Sequence, residues 1–236
     1  MEPEDLYPLI KGASDFEECY LKISAPGVNN KDRLYTFVPN TGISSADYIE
    51  SAERINRHDH KKTAAWFDSF KPLLQARSTY RRQMKGAPFH AIYNVGEYTF
   101  KPWKVIWPEM SSSFYAAVAG STDVPLVGTR SYIPDHKVYF SAFDDRETAC
   151  YLCGLLNSAT VQEWINAHNV SIQVADVFKH LDLPEFNKNN SQHVLLAEKV
   201  LSAHQEHNSK ARKLIVEDVK SLAEDILTNW SNQLPC

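Results

Sequence analysis

Glycine is scarce in this chain. There are eight among 236 residues, and the closest pair, Gly120 and Gly128, stands eight positions apart. A dinucleotide-binding loop needs glycines two and three apart, and a P-loop needs them five apart. Neither can form here. No run of 18 apolar residues occurs, which speaks against a membrane span. The first residues, MEPEDLYPLIK, lack the charged-then-apolar order of a secretory leader. Cysteine is thin as well: Cys19, Cys150, Cys153 and Cys236. Without a leader they are expected to be reduced thiols in a cytoplasm. Cys150 and Cys153 make one C-x-x-C, and a single such pair cannot close a tetrahedral zinc site. Their setting, ACYLCGLL, predicts two buried residues on one helix face.

Catalytic signatures are missing too. The chain has no G-x-S-x-G elbow and no H-E-x-x-H. His58-Asp-His60 and His204-Gln-Glu-His207 suggest metal ligands, but neither has a third ligand at a usable spacing. Pro134-Asp135 begins a metal-nuclease pattern that no following acid-x-Lys completes. No enzyme can be argued from these residues, and no metal site is expected.

What the chain does have is an uneven charge map. The net charge is −4, with 43% apolar and 23% charged residues, as in an ordinary folded protein. Residues 54–104 nevertheless hold eleven Lys and Arg against three acids, Asp59, Asp68 and Glu97. That segment is +8 and the remainder −12. Phosphates respond to the local field within about 10 Å at ordinary salt, so the asymmetry outweighs the sum. A basic run is more often a solvated helix face than a binding surface. Here ten aromatic residues lie among the cations, from Trp66 to Trp107, and most of them, Trp103 and Trp107 included, are expected to be core.

The residue pattern predicts an α+β fold with a mixed sheet and a helical C-terminal part. A loop-rich start leads to a strand over Arg33–Val38 and a helix from Ser44 or Ser45 to about Arg57. A second helical stretch covers Thr63–Arg82, where Pro72 must kink or restart it. His90–Val95, Trp103–Trp107, Leu126–Ile133 and Lys137–Phe143 read as strands. Pro134-Asp135-His136 would turn the last two into a hairpin. Asp144 is expected to cap the next helix, with Glu147 completing a capping box. That helix ends at Asn157, and Ser158 starts another to about Ala167. From Gln192 to Trp230, Ile215, Val219, Leu222, Ile226 and Trp230 mark the seam of an amphipathic helix. The polar stretch Asn187–Ser191 suggests a boundary, giving a unit over 1–190 and a helical segment over 191–236.

The order of pieces resembles the target-recognition domain of N6-adenine DNA methyltransferases, the TaqI-like C-terminal specificity domain, including those fused to restriction nucleases. The matching pieces are Leu6-Tyr-Pro-Leu-Ile-Lys-Gly12, Tyr35-Thr-Phe-Val-Pro39 and Leu73-Leu-Gln-Ala-Arg77. They continue with Tyr93-Asn-Val-Gly-Glu-Tyr-Thr-Phe100 running into Lys104-Val-Ile-Trp-Pro108. Tyr151-Leu-Cys-Gly-Leu-Leu-Asn-Ser158 and Phe178-Lys-His-Leu-Asp-Leu-Pro184 complete the set. The resemblance spans about residues 6–186. After Gly12 the family's charged-then-tryptophan pattern is replaced by Ala13-Ser-Asp-Phe-Glu-Glu-Cys19.

The resemblance implies sequence-specific recognition of double-stranded DNA. In that family a separate catalytic domain binds S-adenosylmethionine and carries an Asn-Pro-Pro-Tyr type motif. This chain has no donor loop and no Pro-Pro pair, so it is expected to hold no cofactor and to work with a catalytic domain outside it. The expected phosphate contacts are Lys61, Lys62, Lys71, Arg81, Arg82 and Lys85. Arg77 and Arg130 are the candidates for base edges; Arg77 also matches the family's helix-end arginine, for which an internal structural ion pair is the other reading. Two other readings stand beside this one. The chain could be a non-enzymatic assembly module docking through the seam ending at Trp230, or a separate specificity subunit of a multisubunit restriction system.

Overall fold

Short apolar stretches between turn formers give short strands at the N-terminal end. The computed structural model describes residues 2–24, 33–56, 60–168 and 181–231. Leu6–Ile10 (β1), Phe16–Glu17 (β2), Tyr20–Leu21 (β3) and Tyr35–Phe37 (β4) come first. β1 pairs antiparallel with β4, Leu6 facing Phe37, and β2 with β3. Ser44 then caps α1 (Ser45–Ile55) through Asp47, whose carboxylate returns to the Ser44 amide.

The basic helical stretch divides. α2 (Lys61–Ala76) runs through Pro72, and α3 (Ser78–Gln83) follows after a break at Arg77. The expected strand over His90–Val95 is absent: no helix or strand covers those residues, and the short α4 (Glu97–Phe100) follows them. Asn94 takes a left-handed backbone (φ 60°), which ends extended structure. The Asn40 side chain meets both backbone groups of Ile92, accepting from its N–H at 2.8 Å and donating to its C=O at 2.9 Å. One amide thus replaces a neighbouring strand.

β5 (Trp103–Pro108), β6 (Ala117–Ala119), β7 (Ser121–Val124), β8 (Gly128–Ser131), β9 (Ile133–Pro134) and β10 (Val138–Phe143) follow. β5 is the middle of a three-stranded antiparallel sheet, with β10 on one side and β6 on the other. The hairpin expected between Leu126–Ile133 and Lys137–Phe143 does not form. β8 turns back on β7, β9 pairs in parallel with β1, and β10 reaches β5. Leu126, expected in a strand, lies in the β7–β8 turn.

The helical part packs on that sheet. α5 (Arg146–Leu156) starts one residue later than its sequence suggests: Asp145, not Asp144, is the cap, accepting from the Thr148 N–H. α6 (Ala159–His168), α7 (Ser191–Gln205) and α8 (Ser209–Ser231) complete it, so the Gln192–Trp230 seam belongs to two helices. One core joins Val105, Trp107 and Val118 of the sheet to Leu155, Leu196, Val200, Val219 and Ile226. Gly154 lets α7 close on α5, since a Cβ there would stand 2.8 Å from Leu196. The seam faces inward: Val219 and Ile226 are buried, and Ile215 and Leu222 pack against the same core. Cys19, Cys150 and Cys153 are free and buried, and burial pushes the Cys150 thiol up to about 12.

Asn157 ends α5 in the same manner as Asn40. Its Oδ1 accepts from the Ala116 N–H at 2.9 Å, and its Nδ2 donates to the Ala116 C=O at 2.8 Å and to the Cys153 C=O. It is fully buried.

Candidate nucleic-acid interface

The cations of the basic segment differ sharply in what they touch. Arg54 is held by the Asp5 carboxylate and the Pro39 carbonyl. Lys101 pairs with Asp144, and Lys104 is buried in β5, donating to the Lys101 carbonyl at 2.8 Å. Burial brings the Lys104 ammonium down to about 7. Arg57 lies outside the described residues. These four, counted in the +8, are not available as a described surface charge.

Arg77 closes the bend between α2 and α3. Its Nε donates to the Leu74 carbonyl at 2.9 Å, and one terminal nitrogen donates to Phe89 and Ala91 at 2.6 and 3.1 Å. Its guanidinium stands 5.7 Å from the Tyr80 ring centre. The partners are carbonyls, not the acid that an internal ion pair requires. Both hydrogens of that nitrogen are committed, leaving only the other terminal nitrogen for anything else.

Arg81 and Arg82 occupy the last turn of α3, where cations face the negative end of the helix dipole favourably. With Lys85 just beyond, all three are exposed, and among the described residues no carboxylate pairs with them. Lys85 lines a cleft of about 590 Å³ together with Ile43, Tyr48, Ile49, Gln83 and Tyr93. Ile43, Ile49 and Tyr93 are themselves exposed. Lys71 lies 5.0 Å over the Phe89 ring.

The other end of α2 is built by the N-terminal segment. The Glu2 carboxylate accepts from the backbone N–H groups of Thr63 (2.8 Å) and Lys62 (3.3 Å), while the Glu2 N–H donates to the Thr63 hydroxyl. These bonds cap the helix from a distant residue, and hydrogen bonding, from the Thr63 side chain first and then the backbone N–H groups, holds the Glu2 carboxyl down to about 2. Lys61 and Lys62 are exposed in this first turn. Glu4 lies 3.1 Å from Nε2 of the buried His60, just before them, and its carbonyl takes a long 3.5 Å bond from Arg130 of β8. Arg130 also donates to the Thr129 carbonyl and sits 5.8 Å over the Tyr7 ring. Glu2, Glu4 and Asp5 are thus each engaged beside Lys62 and Arg130.

The structure therefore groups Arg130 with Lys61 and Lys62, and Arg81 and Arg82 with Lys85, at opposite ends of α2. Sixteen helical residues span about 24 Å. Several aromatic residues expected in the core are exposed instead. Trp66 and Phe70, with ring centres 5.0 Å apart, are on α2; Tyr93 and Tyr98 are on the following segment. Their helical spacing resembles a core stripe and gives no sign of exposure.

His60 is buried, and His58 lies outside the described residues. Among the described residues no three His, Cys, Asp or Glu side chains are placed to hold a metal ion, and no helix is long and apolar enough to cross a membrane.

No protein-family model matches the chain. It is similar to a type II methyltransferase. The relative is "Type II methyltransferase M.NspV" of Nostoc sp. (strain ATCC 29411 / PCC 7524), 28% identical over 167 residues. The alignment covers 71% of this chain and 30% of that protein, so the chain spans under a third of its relative's length.

Proposed function

We propose that this chain reads double-stranded DNA for an adenine-N6 methyltransferase of a restriction–modification system, whose catalytic domain lies outside it. The observation that carries the reading is the Arg81, Arg82 and Lys85 cluster: three exposed cations without an acidic partner among the described residues. It occurs in a chain similar to a type II methyltransferase. Free, flexible cations suit phosphate oxygens, which position a protein without reading sequence. Lys62, in the first turn of α2, supplies a second anchor. Arg130 is the candidate for a base edge. Arg77 serves the bend, and S-adenosylmethionine would bind to the catalytic domain.

Electrophoretic mobility with random duplex DNA tests the reading. The expected result is binding that weakens steeply with salt, with a log–log slope of about −0.9 per phosphate contacted. Absence of binding at low salt would overturn it.

A further inference from the structure

Among the described residues, two helices have their first amide groups closed by a carboxylate from far along the chain. At α6 it is Glu224 of α8, which accepts from the Thr160 N–H at 2.8 Å and from the Thr160 hydroxyl at 2.6 Å. At α2 it is Glu2, which accepts from the N–H groups of Thr63 and Lys62, 61 and 60 residues away. His60 stands at the cap position of α2 without a capping side-chain bond, its buried ring meeting Glu4 instead. The first turn of α2 is therefore closed by Glu2.

The two caps differ in what holds them and in what surrounds them. Glu224 belongs to α8, whose Val216, Val219, Ala223 and Ile226 are set in the main core, so it cannot leave without its helix. The first turn of α6, Ala-Thr-Val-Gln, carries no cation. Glu2 lies instead on a short arm. Glu2 and Pro3 are half-buried and Glu4 is exposed, whereas Asp5 is buried, paired with Arg54, and accepts from the Val38 N–H at 2.9 Å. The arm can release Glu2 while Asp5 stays in place. The turn it closes begins with Lys61 and Lys62, both exposed.

N–H groups at the positive end of a helix dipole, flanked by lysines, suit an anion. An anion is already seated there. The Thr63 side chain first, and then the backbone N–H groups, hold the Glu2 carboxyl down to about 2. A phosphodiester carries the same single charge, and helix N-termini are among the groups that take DNA phosphates. While Glu2 is in place, its charge offsets the lysines beside it. Once it swings out, the same turn offers two cations and unpaired N–H groups.

We propose that the first turn of α2 is a phosphate site for the DNA backbone, which the Glu2 carboxylate fills in the free protein and yields when DNA binds. The proposal rests on the DNA-reading function above. The arm is a tethered competitor: it lowers affinity for every duplex alike and keeps the site closed to stray anions until the other contacts hold a phosphate over α2.

Two measurements on the whole chain test this. In the first, inorganic phosphate is titrated while the amide NMR signals of Lys62 and Thr63 are followed. Those signals are expected to shift and saturate in Glu2→Ala, and to need several-fold more phosphate in wild type. The second is binding to random duplex DNA at about 0.15 M salt. Glu2→Ala and Glu2→Gln are expected to bind about three- to fivefold more tightly than wild type. Asp68→Asn removes the same charge about 9 Å further along α2 and should change binding less than about twofold. Glutamine keeps an acceptor oxygen for the helix N–H groups, so Glu2→Gln carries the test if Glu2→Ala frays the helix. Glu2 variants that bind no more tightly than Asp68→Asn, or amide signals that ignore phosphate in every protein, would overturn the phosphate site and leave DNA reading intact. Failure of every one of these proteins to bind duplex at low salt would overturn the DNA-reading function, and with it the DNA backbone as the ligand.

Discussion

Arg77 and Phe89 are joined across the bend between α2 and the following loop by a 2.6 Å hydrogen bond from guanidinium to carbonyl. A second bond from the same nitrogen reaches Ala91, and the neighbouring Nε reaches Leu74. The side chain fastens a helix end to an irregular segment whose carbonyls have few other partners. It thereby fixes the direction in which α3 carries Arg81 and Arg82.

Replacing Arg77 should therefore lower stability before it alters specificity. A lysine cannot reproduce the fork, so Arg77→Lys is expected to lose about 1–3 kcal/mol, read as a lower urea midpoint. A variant of unchanged stability and relaxed base preference would return Arg77 to base reading.

Arg81 and Arg82 should behave in the opposite way. The double change to alanine is expected to leave stability within about 0.5 kcal/mol, because both residues are exposed and make no ion pair among the described residues. It should weaken binding to all duplexes alike and flatten the salt slope by roughly two units. A loss confined to one sequence would contradict a phosphate role.

Lys104 gives a pH test. It ionises near 10.5 unfolded and near 7 in the fold, because burial disfavours the ammonium. Between those values the unfolded chain holds a proton that the folded chain lacks, so stability rises with pH across the window. The penalty is fully present below pH 7, up to about 5 kcal/mol. Lys104→Met should accordingly be more stable than wild type at pH 6, with the difference shrinking as pH approaches 10.5. Parallel stability profiles for the two proteins would show that the ammonium finds solvent.

Asn157 should be among the costliest residues to lose. Alanine there leaves the Ala116 N–H unpaired in the core, while the Ala116 C=O keeps its bond from the Cys19 N–H, an expected loss of about 1–3 kcal/mol in a denaturant melt. Aspartate should do worse at neutral pH, since its carboxylate would face the Ala116 carbonyl where an N–H donor now stands.

Local signals were legible wherever a few neighbouring residues decide the outcome. Ser44 with Asp47 starts a helix, the pattern around Cys150 and Cys153 marks a buried helix face, and Trp103–Pro108 is a strand. The charge asymmetry was legible too, because charge is a property of composition. Which cations remain on the surface was not: Arg54, Lys101 and Lys104 are engaged by Asp5, Asp144 and a backbone carbonyl that folding brings to them. Strand pairing was likewise decided at long range, with β9 going to β1 and β10 to β5 over the nearer hairpin. The side-chain amides of Asn40 and Asn157 act the same way, completing backbone hydrogen bonds 52 and 41 residues away. Sequence determined the elements and the sum of charge, through short-range conformational preference. Tertiary structure decided which polar groups are satisfied, since a buried donor takes whichever acceptor packing places beside it.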